Sequence, residues 1–286
     1  MDRRYPIEDY GAIFDAHTHL YFDYHDGLMT PKQLIQSTKR RGFNFVCAMS
    51  HDTAVGTKIV ARLAKEHDLP CLPGIEISTI HNHILAYGIQ EWPFMRDTTK
   101  PDEAIDHLRD QDCAIFLSHP YSDAGLTLHT QWMPSVVKRL DIDGIEWVNA
   151  TIYHQNLKTH RVYKRWPEGR RIAGSDAHHP AVFGFGYTQV AVNSEDPDDV
   201  VAAMQKGRCK PHWQIPSPVL PIYQVLLSVV KNKIVKRRMV EGKMAPAIGD
   251  RPGSIRPKKI PDAIEWREKL IRDRDPIERI VNWIDE

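Results

Sequence analysis

The chain has 286 residues, 42% hydrophobic and 26% charged, which is room and apolar content for one large α/β domain or two small ones. A formal net charge of +1 excludes a global basic field for nucleic acid. Cys47, Cys71, Cys113 and Cys209 lack the CxxC spacing of zinc fingers and redox motifs, and three of them sit in or beside apolar runs, as reduced core thiols would.

The N-terminal stretch has no apolar signal-peptide core, and no run approaches the roughly 18 apolar residues of a membrane span. The expectation is a cytoplasmic protein without a membrane partner.

In chain order, the first predicted strand is AIFDAHTH (12–19). Alternation places Asp15, His17 and His19 on one face. The stretch DAHTHLYFDYHDG (15–27) adds His25, Asp23 and Asp26. Imidazoles and carboxylates converging at a strand end are costly to bury unless a cation compensates. A solvated histidine-rich loop is the alternative reading of this stretch alone. Thr30-Pro31 then reads as the N-cap and first turn of a helix, with Leu34, Ile35 and Thr38 on one face and Gly42 at its end.

Further predicted strands are 44–51, 71–78, 83–89, 114–120, 144–150, 171–178 and 187–193. Helix patterns fill 53–67, 100–112 and 196–207. This alternation predicts a mainly parallel sheet, closed into a slightly small β/α barrel. His17, His19, His51, Glu76, His119, Glu146, Asp176 and His178 all fall at strand C-termini, where β/α barrels build their sites. They should converge on one mouth and hold metal.

After residue 213 the pattern changes. Residues 214–286 combine an apolar run, the basic residues Lys231, Lys233, Lys236, Arg237 and Arg238, a Pro/Gly-punctuated stretch and two Asp-capped helices. The basic group reads as a solvated helix face. The helices are expected to pack on the barrel (1–213) or to mediate a homo-oligomer.

The ordered motifs resemble those of the PHP (polymerase and histidinol phosphatase) family. They run Asp15-x-His17-x-His19, Asp26-Gly27-x-x-Thr30-Pro31, Met49-Ser50-His51-Asp52 and Gly74-x-Glu76. His83-x-Leu85-x-Tyr87, Ser118-His119-Pro120, Gly144-x-Glu146-x-x-Asn149 and Ser175-Asp176-Ala177-His178 follow. The resemblance covers about residues 12–210. It implies an α/β fold, a distorted seven-stranded (β/α)7 barrel, with the C-terminal helical extension outside it. It also implies two or three divalent transition metal ions: manganese, zinc or iron.

By that resemblance His17, His19, Glu76 and Asp176 surround the first ion. Glu76 bridges to a second held by His83 and His119. A third uses His51, His178 and a residue of the first loop. The Asp-Gly-x-x-Thr-Pro register favours Asp26 for that loop position; counting from His17 favours His25. Ser50 departs from the family's aspartate before His51. Asp15, His25, Asp52 and Glu146 are candidates for supporting positions, Asp15 as the group that fixes a histidine tautomer. His178 and His179 are candidate phosphate contacts.

Clustered cations about 3.5–4 Å apart suit phosphoester hydrolysis by a metal-bridged hydroxide, without a separate side-chain nucleophile. The expected activity is a phosphatase or phosphodiesterase acting on a small nucleotide or sugar phosphate. Amide or ester hydrolysis and a non-catalytic regulatory domain are the alternatives. Nucleic acid is not expected as a partner, because no basic groove or aromatic run lies near the motifs.

Overall fold

The computed structural model describes residues 11–20, 27–92, 99–121, 132, 134–220, 222, 223 and 226. The strands are β1 (Ala12–Phe14), β2 (Val46–Ala48), β3 (Cys71–Ser78), β4 (His83–Tyr87), β5 (Ala114–Leu117), β6 (Gly144–Asn149), β7 (Arg171–Gly174), β8 (Gly186–Val190) and β9 (Cys209–Trp213). The helices are α1 (Pro31–Arg41), α2 (Val55–Lys65), α3 (Pro101–Arg109), α4 (Pro134–Val137), α5 (Tyr153–Val162) and α6 (Pro197–Gln205).

The fold is mixed α/β. Its larger sheet, in the order β2-β3-β4-β5-β6-β7, curls as half of a barrel. It is less parallel than the sequence suggested. β3–β4 and β4–β5 pair antiparallel, while β2–β3, β5–β6 and β6–β7 are parallel. The cause is the short turn at residues 79–82, too short for the crossover that a parallel pair needs. The reversal puts His83 at the start of β4 rather than at a strand end, yet on the same rim, opposite Ser78.

A second sheet runs β1-β8-β9, all antiparallel. Regular strand ends at Phe14 instead of continuing to His19. The chain beyond it still touches both ends of the larger sheet. Phe45 N–H donates to Ile13 O, and His17 O and Ala177 O accept from Asp176 N and His19 N. β9 was not expected, because Lys210, Pro211 and His212 break the apolar alternation; Pro is tolerated in this edge strand. α5 was also missed, since YHQNLKTHRV carries no apolar stripe.

Helix α1 begins as read. Thr30 Oγ1 accepts from Gln33 N and the Gln33 side chain returns to Thr30 N, while Gly42 closes the helix at φ 73°. Inside the curl, Phe14, Cys47, Leu72, Leu85, Tyr87, Phe116 and Ile172 pack into one layer, and Val200 and Met204 of α6 join it. Residues two and four positions further along the same faces carry the polar groups. Leu72 is followed by Glu76, Phe116 by Ser118, and Ile172 by Asp176; Leu85 is preceded by His83. Period-two alternation thus stacks a polar rim on an apolar floor. Tyr87, with its hydroxyl donating to Ala16 O at 2.7 Å, belongs to that floor.

Of the extension expected from residue 214, residues 214–220, 222, 223 and 226 are described; the rest of its apolar run, the basic cluster and the two terminal helices lie outside the described residues, as do His25 and Asp26.

Candidate metal centre

Glu76 stands at the centre of the rim, fully buried, and its two oxygens face different partners. Oε2 lies 3.2 Å from His17 Nε2, His19 Nε2 and His51 Nδ1. Oε1 lies 2.9 Å from His83 Nδ1 and 3.2 Å from His119 Nε2, and accepts from Ser118 Oγ at 2.8 Å.

Asp176 Oδ1 closes the first group, 3.4 Å from His17 Nε2 and 3.0 Å from His19 Nε2. Those two imidazole nitrogens are only 3.0 Å apart. His178 stacks on His19 with ring centroids 4.1 Å apart, and His51 lies 4.3 Å from His19 in the same way.

Three overlapping donor sets follow among the described residues: His17–His19–Asp176, His51–Glu76–His83 and His19–His51–His178. In each, the nitrogen and oxygen atoms lie within 4.8 Å of one another. Mixed imidazole and carboxylate donors at this spacing suit divalent transition metals. Burial without water or cation is the costly alternative. The residues therefore fit the metal that the motifs imply. His51 groups with Glu76 and His83 as well as with His19 and His178, where the sequence reading set it with His178 and a residue of the first loop.

Residues 168–209 match the family described as PHP_C, PHP-associated. The fold is similar to that of a two-domain protein from Bacteroides vulgatus containing a predicted PHP-like metal-dependent phosphoesterase. The TM-score there is 0.57 at 18% identity, over 75% of this chain and 70% of that one. The chain is thus similar to PHP-like proteins in one segment of sequence and in fold.

PsfC from Pseudomonas syringae shares the fold at a TM-score of 0.56 and 15% identity, covering 79% of this chain and 99% of that one. By sequence, the chain is 27% identical over 151 residues to the uncharacterized protein MJ1587 of Methanocaldococcus jannaschii, half of this chain and 81% of that one.

The electrostatics of the site are those of a buried, alternating charge cluster. Burial pushes the Glu76 carboxyl up, but His17, His51, His83 and His119 outweigh it and hold Glu76 well below the usual range. Asp176 is likewise held well below by His17, His19 and His178 against its burial. His17 shows the converse. Burial pulls its imidazolium down, and Glu76, Asp176 and Glu146 together raise it well above the ordinary value. Ionised carboxylates are the form that binds cations.

Several supporting residues differ from expectation. Asp15 does not hold an imidazole. Its carboxylate accepts from Ser175 N and Gly184 N at 2.8 Å, His17 N at 3.2 Å and the Ser175 hydroxyl. Burial lifts its pKa to about 6 despite those bonds. It knits three loops beneath the site. The tautomer-fixing position falls to Glu146, whose Oε1 sits 2.9 Å from His17 Nδ1 while Oε2 accepts from His119 N at 2.7 Å. Asp52 accepts from Ser78 N at 2.7 Å and anchors the end of β3.

Ser50 Oγ is buried with no hydrogen-bond partner among the described residues, whereas its carbonyl accepts from Glu76 N at 3.0 Å. His179 lies further out, its Nδ1 accepting from Ala181 N at 3.1 Å and its ring 5.5 Å from Tyr223. Asp52, His119 and Asp176 all have positive φ, at 50°, 21° and 54°. Such backbone is disfavoured for side-chain-bearing residues and gathers at functional sites.

Sequence reading assigned no role to Ser118 or Asn149, although both lie inside quoted motifs. Only their places within Ser118-His119-Pro120 and Gly144-x-Glu146-x-x-Asn149 could have flagged them.

Proposed function

We propose that this protein is a metal-dependent phosphoesterase that hydrolyses a small phosphate ester of the nucleotide or sugar-phosphate type. The observation that carries the reading is Glu76, whose two oxygens face separate histidine sets across one buried carboxylate. A bridging carboxylate between two cation positions needs that arrangement.

His17, His19, Glu76 and Asp176 would hold one ion, and Glu76, His83 and His119 a second. His51, His178 and Asp26, in preference to His25, would hold a third. Manganese, zinc and iron all suit these donors. When bound, such cations supply the Lewis acidity that activates water and neutralises phosphoryl charge.

The chain's own groups do the rest. Ser118 and His83 fix Glu76 Oε1, and Glu146 turns His17 Nε2 toward the site. His178, part-buried at the rim, and His179 beyond it would meet phosphate oxygens or a leaving group.

The test is a substrate panel run with added manganese, zinc or iron and, in parallel, with chelator. It should include nitrophenyl phosphate, nucleotides, histidinol phosphate, a phosphotyrosine peptide and a single-stranded oligonucleotide, plus an amide and a carboxylic ester. Metal-dependent release of phosphate from a small ester is expected. Activity confined to amide, ester or oligonucleotide, or equal rates with chelator, would overturn the reading.

A further inference from the structure

Asn149, at the end of β6, is buried to 1% exposure and uses all its polar atoms on the site's framework. Its Nδ2 lies 3.4 and 3.3 Å from the two oxygens of Glu146 and 3.1 Å from Asp176 Oδ2. Its Oδ1 accepts from Thr151 N and Ile152 N, both at 3.1 Å. This fixes which end of the amide is which. Flipped, the amide would set N–H against N–H and oxygen against two carboxylates.

The backbone of Asn149 is clasped as well. Asn156 on α5 accepts from Asn149 N and donates to Asn149 O, each at 3.0 Å. The side chain therefore has little freedom.

The two carboxylates it joins do different things. Asp176 spends Oδ2 on Asn149 and turns Oδ1 to His17 and His19. Glu146 holds His17 Nδ1, so that the other ring nitrogen, Nε2, faces Glu76 and Asp176. One donor group shared between these carboxylates sets the distance between the candidate ligand Asp176 and the group that orients the candidate ligand His17. Without it, two buried carboxylates would approach each other with no N–H between them.

We propose that Asn149 is a positioning residue of the metal centre, acting through Glu146 and Asp176 and touching neither metal nor substrate. The inference rests on the metal reading above. Partners of this kind to metal ligands typically contribute 10–100-fold in metal affinity.

The experiment compares wild type, Asn149→Ala and Asn149→Ser by zinc competition titration. Circular dichroism and thermal melting of the metal-free proteins run alongside. Visible spectra of the cobalt-loaded proteins report the coordination shell, which a merely structural role would leave unchanged. Serine keeps an oxygen near the Thr151 amide, as in a serine turn, but cannot span both carboxylates. Both variants should fold like wild type when metal-free, lose about 10–100-fold in zinc affinity and show an altered cobalt spectrum. Zinc affinity within threefold of wild type together with an unchanged cobalt spectrum overturns the proposal. So does an affinity loss seen in Asn149→Ala alone and matched by a lower metal-free melting temperature. A wild type that binds no zinc or cobalt removes the metal reading itself, and this inference with it.

Discussion

Gly174 lies against His17 so closely that a Cβ on Gly174 would stand 2.2 Å from the His17 Cβ and 2.7 Å from its backbone nitrogen. The contact is between the end of β7 and the chain leaving β1, the seam where candidate ligands from opposite ends of the fold meet. Backbone atoms cannot yield as a flexible side-chain tip can. Gly174→Ala should therefore displace His17, cost about 1–3 kcal/mol as overpacking does, and weaken metal binding at least tenfold. Metal titration beside urea unfolding checks this; an unchanged metal affinity would show that the seam tolerates the shift.

The rim was legible because alternation in a strand is a local property. Glu76 and His83 could be placed from their own strands, and the Thr30–Gly42 helix from its caps. What failed was non-local. The reversed β4 depends on a short turn that looks like any other loop, and Asp15 was assigned to an imidazole because its carboxylate's amide partners lie about 160 and 169 residues away. Asn149 bonds across loops, so no periodicity could reveal it.

Glu76→Gln is the sharpest test of the shared carboxylate. It keeps size and one acceptor but removes the charge that faces both histidine sets. Elemental analysis of protein purified without chelator should show two or three equivalents of transition metal in wild type and at least one fewer in the variant, with turnover lost. Less than one equivalent in wild type, unrestored by added manganese, would count against any metal centre here.

Burial raises all four thiols. Cys71, Cys113 and Cys209 are pushed up to about 12, and Cys47 is raised well above its ordinary value. A raised thiol pKa means the neutral form persists, so at pH 8 only roughly one part in ten thousand of a pKa-12 thiol is thiolate. Native protein at pH 8 should react negligibly with a disulfide reagent within minutes, and all four thiols should react after unfolding. A fast-reacting native thiol would show that one of these sites opens.

Away from the site, Asp143 ties α3 to the start of β6. Its Oδ2 accepts from Arg109 Nη1 at 2.9 Å and from Ile115 N at 2.8 Å. Asp143→Ala leaves the buried Ile115 amide without its side-chain acceptor, a loss of about 1–3 kcal/mol. Chemical denaturation should show that decrease while metal content stays at the wild-type level.

The first loop poses the choice between Asp26 and His25. Its far flank is fixed beside the rim: Leu28 N donates to His178 O at 2.7 Å, and Leu20 and Met29 form a bridge. In sequence, Asp26 stands two positions before Leu28, whose amide is bonded to His178 of the His19–His51–His178 donor set. Counting back from that fixed flank and from the Thr30-Pro31 helix start favours Asp26; counting forward from His17 favours His25. Asp26 would bring negative charge and favour manganese, whereas His25 would add a neutral donor and suit zinc. Asp26→Ala is expected to lose one equivalent of metal and most of the activity, and His25→Ala to keep more than half of both. The opposite pattern in paired metal and rate measurements would move the ligand to His25.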